Sequence, residues 1–162
     1  MKISNFLSAD NVLIGTSNDK KKLLSELARK AAALVDVSPD RVLAELLKRE
    51  ELGSAGMGGG VALPHARFEQ VRKPLGILVR LRKPLDFDAV DGEPVDIVFL
   101  LLLPEGAPAG DQLGALAAIA RRLRNPATAQ ALRRTHDTRE MYDALTADGP
   151  AMPNDKGTQN AQ

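Results

Sequence analysis

The sequence contains no cysteine, which excludes disulfides, thiolate metal sites and cysteine nucleophiles. It also has almost no net charge: 22 basic and 21 acidic side chains leave a formal charge of +1. A chain with this balance has no overall field that would attract nucleic acid or an anionic membrane, so we expect neither as a partner. Histidine is scarce as well, with two residues in the chain.

Long hydrophobic runs are absent too. The longest apolar run extends from Ile97 to Leu103, whereas a membrane-spanning helix needs about 20 residues. The N-terminal residues Met1 to Leu7 lack the apolar core and cleavage pattern of a signal peptide. We therefore expect a cytoplasmic protein without membrane insertion.

The length and composition predict one globular domain. The chain has 162 residues, of which 44% are hydrophobic and 27% charged, enough to bury a core. From Ala147 onward the composition changes to glycine, proline, asparagine, glutamine and aspartate. We therefore expect a domain over residues 1–147 and a flexible C-terminal tail over residues 148–162.

The first third of the chain predicts an edge strand and two helices. Residues 11–14 form the expected strand, which Gly15 closes. Leucine and alanine at helical spacing predict a first helix over about 18–35, capped by Ser17 or Asn18. The second helix should begin with Ser38 as cap and end near Glu51, and spacing places Glu45 where it can pair with Arg49.

The remainder predicts two strands and three helices. Alternating residues from Leu75 to Leu81 indicate a strand ended by Lys83 and Pro84, and the apolar run 95–103 indicates a central strand covered on both faces. Helices are expected over about 111–124 and 126–134, and a last one begins at Asp137, where Asp137 and Glu140 resemble a capping box. The buried stripe predicted for the first of these three helices consists of Leu113, Leu116, Ala117, Ala120 and Leu123. The expected fold class is α/β, a mixed β-sheet with helices packed on its faces.

The stretch from Gly53 to Arg67 has the most unusual composition. Five of the thirteen glycines lie within eight residues, and Pro64 and His65 follow them. Glycines at this density let the backbone adopt positive φ values and approach another group closely. Pro64 favours an extended Leu63, so a short strand over 61–63 should present His65 from a stiff backbone. A glycine-rich surface turn followed by an ordinary histidine is an equally acceptable interpretation of the residue types alone.

Other motifs fail on spacing. The stretch lacks the Gly-Lys-Ser/Thr ending of a nucleotide P-loop, and its glycines at 56, 58, 59 and 60 miss the dinucleotide-binding register. A zinc site needs clustered ligands, but His136 lies 71 positions after His65, so no metal site is expected. His136 precedes a helix start and is interpreted as a surface or capping residue. The basic residues Arg121, Arg122 and Arg124 are interpreted as a solvated helix face or, alternatively, a docking patch.

Over residues 3–146 the chain resembles the enzyme IIA domains of the bacterial phosphotransferase system, fructose/mannitol type, and within them the nitrogen-regulatory branch. The residues that carry the resemblance are Arg49-Glu50, Gly53-Ser54, Gly56, Gly60, Ala62, Pro64 and His65. The resemblance implies the layered α/β fold of that family, a domain of EIIA type 2, and no cofactor.

The resemblance also implies a phosphotransferase component with His65 as the phosphoryl acceptor. A neutral imidazole is a suitable nucleophile because its ordinary pKa, about 6.5, keeps it unprotonated at cytoplasmic pH. Phosphoryl transfer depends on positioning and on stabilising negative charge, and a guanidinium and backbone N–H groups can supply both. Arg49 is the expected guanidinium, Arg67 has a weaker claim, and the expected phosphate loop comprises Gly56, Gly58, Gly59, Gly60 and Pro64.

One position departs from the family pattern. The family places a second histidine at the start of the helix after the loop, where this chain has Gln112. A glutamine amide can donate to a phosphoryl oxygen but carries no positive charge. Gln112 is therefore expected to replace the second histidine at the site.

Three functions remain open from the sequence. In the leading interpretation, His65 accepts phosphate from an HPr-like phosphohistidine protein, and its phosphorylation state regulates partner proteins. The first alternative is a sugar-transport component that passes phosphate to a IIB domain. The second is a docking-only regulator that has lost phosphotransfer.

Overall fold

The computed structural model describes residues 1–106 and 109–147, without the side chains of residues 109, 111 and 112. Two short 3₁₀ turns, Ile3–Asn5 and Ala9–Asn11, precede the regular elements. The strands are β1 Val12–Gly15, β2 Gly56–Gly58, β3 Val61–Ala62, β4 His65–Phe68, β5 Leu75–Leu85 and β6 Val95–Pro104. The helices are α1 Lys20–Ala32, α2 Pro39–Glu51, α3 Ala109–Arg124, α4 Pro126–Arg134 and α5 Thr138–Thr146.

The strands form one mixed sheet with β6 near its centre. The strand order is β1-β5-β6-β3-β2, and β4 also pairs with β6. β5 runs antiparallel to β6, whereas β3 and β4 run parallel to it along successive parts of its length. β1 pairs in parallel with β5 at one edge. The predicted mixed α/β sheet and its central strand 95–103 are thereby confirmed, and the edge strand predicted over 11–14 is observed as Val12–Gly15.

Each face of the sheet has its own hydrophobic core, and β6 contributes to both because successive side chains point to opposite faces. Val98, Leu100 and Leu102 lie in the core with α1 and α2. Ile97, Phe99 and Leu101 lie in the other core with α3, α4 and α5. The near-continuous apolar sequence of β6 follows from this double burial.

The caps explain where the helices begin. Ser38 Oγ accepts a hydrogen bond from Arg41 N with Pro39 in the first turn, as predicted for α2. The α1 prediction was wrong at its start, because Asp19 rather than Ser17 or Asn18 is the cap and accepts from Lys22 N at 2.8 Å. Asp137 caps α5 as predicted, but the Glu140 carboxylate accepts from Thr135 Oγ1 instead of closing a capping box.

Two features of the sheet differ from the prediction. β5 continues to Leu85 past Pro84, because its pairing with β6 becomes irregular after Arg80 and Pro84 need not donate to the ladder. β2 and β4 were not predicted as strands, since three and four residues carry too little periodicity. None of the helices within the described ranges has the length and apolar character needed to cross a bilayer.

Candidate functional site

His65 is the first residue of β4, at the edge of the sheet. Along this strand Ala66 and Phe68 are buried in the core beneath α2, while His65 is half-buried and Arg67 is exposed. The period of two in a strand therefore places His65 and Arg67 on the same face. Leu63 and Pro64 separate β3 from β4, which pair with successive parts of β6. The Pro64 carbonyl accepts a hydrogen bond from Leu101 N at 3.0 Å.

The hydrogen bonding of His65 defines its tautomer. Its Nδ1 lies 3.0 Å from the Leu63 carbonyl oxygen, which can only accept, so Nδ1 carries the proton. Nε2 is then the unprotonated nitrogen of the neutral ring. Burial lowers the pKa of His65 below 6.5; the Leu63 hydrogen bond and the charge of Glu50 oppose this, while the positive charges of Arg49 and Arg67 add to it. The ring is thus neutral at pH 7, with Nε2 free to act as a nucleophile.

Arg49 reaches the same site from the last turn of α2. Its Nη1 donates to the Gly53 carbonyl at 2.9 Å, and Gly53 has a φ of 145°, which lets the chain leave the helix sharply. Among the described residues Arg49 forms no ion pair, so the predicted Glu45–Arg49 pairing is not formed. The other N–H groups of the Arg49 guanidinium are therefore available to donate hydrogen bonds to an anion.

A pocket of about 480 Å³ brings these side chains together. Its lining comes from the end of α2 and the following turn, from β2, from the segment around His65, and from one face of α3. The residues are Arg49, Ser54, Ala55, Gly56, Met57, Leu63, His65, Leu113, Leu116, Ala117, Ala120 and Arg124. Every charged or titratable side chain in this lining is an arginine or the histidine.

The face of α3 that lines the pocket is the one predicted to be buried. The buried residues of this helix are Ala115, Ile119 and Leu123, which pack beneath it in the core. The predicted stripe was therefore right for Leu123 and in part for Leu116 and Ala120, which are half-buried and pack against the same core, and wrong for Leu113 and Ala117, which are exposed. Periodicity could not distinguish the two faces because α3 has apolar residues on both, and its larger leucines face the pocket.

Most of the glycines predicted as a phosphate loop have a folding role in this structure. Gly58, Gly59 and Gly60 have φ values of 96°, 67° and 80°; Gly58 ends β2, and Gly59 and Gly60 form the turn to β3. The Gly59 N–H donates to the Asp91 carboxylate at 3.0 Å, and Arg133 donates to the Gly59 carbonyl at 2.9 Å. Gly56 lines the pocket, whereas Gly58, Gly59 and Gly60 do not. Phosphate binding by Gly56, Gly58, Gly59, Gly60 and Pro64 stays a prediction.

Glu50 fixes the turn that follows α2. Its side chain is only 8% exposed and accepts from Ala55 N at 3.0 Å, while Lys20 Nζ of α1 lies 2.7 Å from Oε1. Ser54 Oγ strengthens the same turn by donating to the Phe87 carbonyl at 2.7 Å. Glu50 thereby holds the chain between Arg49 and Gly56, two of the residues that line the pocket.

Replacing Glu50 with alanine is expected to lower the free energy of unfolding by about 2 to 3 kcal/mol, because Lys20 and the Ala55 N–H lose their buried partner. Urea unfolding measures this change. Glu51→Ala is the matched control: Glu51 is exposed, and its loss should change stability by no more than about 0.5 kcal/mol. Equal effects of the two substitutions would contradict the role of Glu50.

The structure leaves some predicted residues away from the site or undescribed. His136 is exposed, and its Nδ1 lies 3.5 Å from Arg80 Nη2, as expected of a surface residue. Gln112 is the fourth residue of α3 and precedes Leu113 of the lining, but its side chain is outside the described part, as are residues 148–162. Its role at the site stays a prediction.

The sequence analysis gave Ser54 and Glu50 no role at the site, and it placed Arg124 in a solvated face or docking patch without relating it to His65. Ser54 and Glu50 were visible in the motif, but their partners, Phe87 and Lys20, are more than 25 positions away in sequence. Arg124 follows Leu113 and Ala120 at helical spacing, a signal that the incorrect choice of buried face concealed.

Comparison with known proteins identifies similar chains. Residues 5–148 match the family model described as "Phosphoenolpyruvate-dependent sugar phosphotransferase system, EIIA 2". A nitrogen regulatory protein of Bradyrhizobium diazoefficiens is 44% identical over 146 residues, covering 90% of this chain and 95% of that protein. A fructose-specific EIIA component of Haloferax volcanii is 33% identical over 106 residues, covering 65% of this chain and 68% of that protein.

A solved structure gives the same result for the fold. The crystal structure of the nitrogen regulatory protein IIA-Ntr from Neisseria meningitidis superposes with a TM-score of 0.80 at 33% identity. The match covers 89% of this chain and 99% of the Neisseria chain. The fold is therefore shared across nearly the whole length of that protein.

Proposed function

The chain belongs to the EIIA 2 family of the phosphoenolpyruvate-dependent sugar phosphotransferase system, and from that membership we propose that His65 carries a phosphoryl group received from an HPr-like phosphohistidine protein. The observation that carries this assignment is the His65 geometry. A neutral ring with its proton held on Nδ1 by Leu63 lies in one pocket with Arg49. This arrangement provides a nucleophile beside a positive charge.

The transfer step uses Nε2 of His65. Its lone pair forms the new bond to phosphorus while the bond between phosphorus and the donor's imidazole nitrogen breaks, and that electron pair returns to the donor ring. No proton need leave His65, and the positive charge that develops on its ring is stabilised by the Nδ1–H bond to Leu63. Arg49 offers N–H groups to the negatively charged phosphoryl oxygens.

The similarity to nitrogen regulatory proteins supports a regulatory role, in which the phosphorylation state of His65 signals to partner proteins. The fructose-specific relative supports the alternative, transfer onward to a IIB domain and a sugar. The two roles differ in what happens after His65 is phosphorylated: in the first the phosphorylated chain acts on a partner protein, and in the second a IIB domain accepts the phosphoryl group. Loss of the phosphoryl group on mixing with a fructose- or mannitol-type IIB domain would favour transport.

The direct test of the proposed function is intact-mass analysis after incubation with phosphoenolpyruvate, enzyme I and the HPr-like donor. The expected result is the addition of one phosphoryl mass that is acid-labile and base-stable, as a phosphohistidine is. A chain that gains no mass while a known EIIA protein in the same mixture does would identify a docking-only regulator.

Changing Gln112 to histidine is expected to alter the lifetime of the phosphorylated form, because histidine can carry a positive charge beside the phosphoryl group and glutamine cannot. Gln112→Ala should shorten that lifetime modestly. Hydrolysis of the phosphorylated protein, followed between pH 6 and 8, measures both. A lifetime that neither substitution changes would remove Gln112 from the site.

A further inference from the structure

The ammonium group of Lys20 lies where three segments of the chain meet. Lys20 is the first residue of α1, and its Nζ lies 2.7 Å from Glu50 Oε1 near the end of α2. Nζ also donates to the Phe87 carbonyl at 3.2 Å and lies 4.7 Å from the centre of the Phe87 ring. These contacts leave the Lys20 side chain only 19% exposed. Lys20 therefore joins α1, α2 and the segment that follows β5.

The Glu50 carboxylate is the buried partner of this ammonium group. Its side chain is 8% exposed, whereas Asp88, 3.3 Å from the same Nζ, is 73% exposed. Water screens an exposed carboxylate, but a buried carboxylate depends on its cation for compensation. Lys21 and Glu51 also lie around the pair, and both are exposed. Glu50 is thus the group whose charge Lys20 balances.

The Lys20–Glu50 pair reaches the candidate site through the turn over residues 53–56. The Glu50 carboxylate accepts from Ala55 N at 3.0 Å, in the middle of that turn. The first residue of the turn accepts the hydrogen bond of Arg49, and the other three line the pocket. The position of Glu50 therefore decides where the turn lies and where Arg49 is bonded to it.

The charge of Glu50 also reaches His65. Glu50 and Arg49 act on the imidazole from α2, and Arg67 acts on it from β4. Arg124 of α3 is the other charged residue of the pocket lining. Glu50 raises the pKa of His65, whereas Arg49 and Arg67 lower it. The carboxylate that holds the turn therefore opposes the neutral ring that phosphoryl transfer requires.

We infer that Lys20 is a positioning residue for phosphoryl transfer: it holds Glu50 in place and balances its negative charge, so that the carboxylate fixes the turn over residues 53–56 without repelling the phosphoryl group. Lys20 acts through Glu50, since it lies outside the pocket lining and is not among the charges that affect His65. Without Lys20, the carboxylate would favour protonation of the imidazole and repel the negatively charged phosphoryl group. The inference rests on the proposed function, because it concerns transfer to His65.

The first experiment measures the protonation of His65 without any donor. The imidazole signals are followed by NMR as the pH is changed, in wild type, Lys20→Met and the matched control Lys21→Met. Lys20→Met should raise the pKa of His65, because the charge of Glu50 is no longer balanced. Lys21→Met should not, since Lys21 is exposed and forms no ion pair within the described part of the chain. An unchanged His65 titration in Lys20→Met, or an equal change in Lys21→Met, would overturn the inference.

The second experiment measures transfer from a phosphorylated HPr-like protein in single-turnover kinetics over a range of donor concentrations. In Lys20→Met the limiting rate should fall at least about fivefold at pH 6 and less at pH 8, because a raised pKa leaves less of the neutral ring at low pH. The half-saturating donor concentration should stay within about twofold of wild type. Lys20→Arg keeps the positive charge and should retain the rate within about threefold. A raised half-saturation with an unchanged limiting rate would place Lys20 in donor binding and overturn the inference.

Glu50→Gln separates the charge of Glu50 from its hydrogen bond. Glutamine keeps an oxygen that accepts from Ala55 N but removes the negative charge. Adding Lys20→Met to Glu50→Gln should therefore change the limiting rate no more than about twofold. This comparison decides the question even where Lys20→Met alone does not fold. A larger loss of rate in the Glu50→Gln background would show that Lys20 acts by another route, which would overturn the inference.

Failure of the proposed function gives a different result. If wild type accepts no phosphoryl group, the proposed function fails, but the NMR titration still reports whether Lys20 controls the charge beside His65. If wild type is phosphorylated and Lys20→Met transfers at the wild-type rate from pH 6 to pH 8, the proposed function stands and the inference is overturned.

Discussion

Replacing His65 with alanine is expected to abolish phosphorylation of the chain, the largest effect of any single substitution. Among the described residues of the pocket lining, His65 is the only titratable side chain besides the arginines, and its hydrogen bond to Leu63 holds the proton on Nδ1 while its lowered pKa keeps Nε2 unprotonated. Phosphoenolpyruvate, enzyme I and the donor should add one phosphoryl mass to wild type and none to His65→Ala. The fold should persist, because His65 is half-buried and its hydrogen bond to Leu63 is local.

His136→Ala is the matched control, since His136 is the other histidine of the chain and is exposed. It should be phosphorylated to the same extent and at the same rate as wild type. A fully phosphorylated His65→Ala protein with a native circular dichroism spectrum would show that another residue is the acceptor. A control variant that also loses phosphorylation would show that the assay reports something other than transfer to His65.

The parts of the fold that the sequence predicted correctly are those with local causes. β6 is apolar from Ile97 to Leu103 because both faces of the sheet cover it. The start of α2 follows from Ser38 and Pro39, whose effects depend only on neighbouring backbone groups. His65 and Arg49, which come from a motif that is continuous in sequence, line one pocket, and their roles in phosphoryl transfer stay predictions.

The parts that could not be predicted depend on tertiary contacts. Which face of α3 is buried is decided by the sheet beneath it, since both faces of the helix carry apolar residues. The turn glycines Gly58, Gly59 and Gly60 have positive φ values because of a hairpin that Asp91 and Arg133 hold from distant positions. Their density therefore indicated an unusual backbone but not its purpose.

Replacing Arg49 with alanine is expected to slow phosphoryl transfer to His65 by roughly tenfold to a hundredfold, which is the second largest effect. A charge-assisted hydrogen bond is worth about 1.5 to 3 kcal/mol, and each 1.4 kcal/mol of lost transition-state stabilisation is a factor of ten in rate. Arg49 can supply such bonds because its one hydrogen bond among the described residues, to the Gly53 carbonyl, uses Nη1 and leaves other N–H groups.

The substitution should leave the fold intact. Arg49 is half-buried in the last turn of α2, and loss of its bond to Gly53 should lower the free energy of unfolding by no more than about 1 kcal/mol. Lys48→Ala is the control, because Lys48 is a cation in the same turn that is exposed and absent from the pocket lining. It should change neither the transfer rate nor the stability appreciably.

Single-turnover kinetics over a range of donor concentrations test this role of Arg49. If Arg49 contacts the phosphoryl group only as it transfers, Arg49→Ala lowers the limiting rate and leaves the half-saturating donor concentration nearly unchanged. An Arg49→Ala protein that unfolds, or that transfers at the wild-type rate, would show that the guanidinium serves the end of α2 rather than the phosphoryl group.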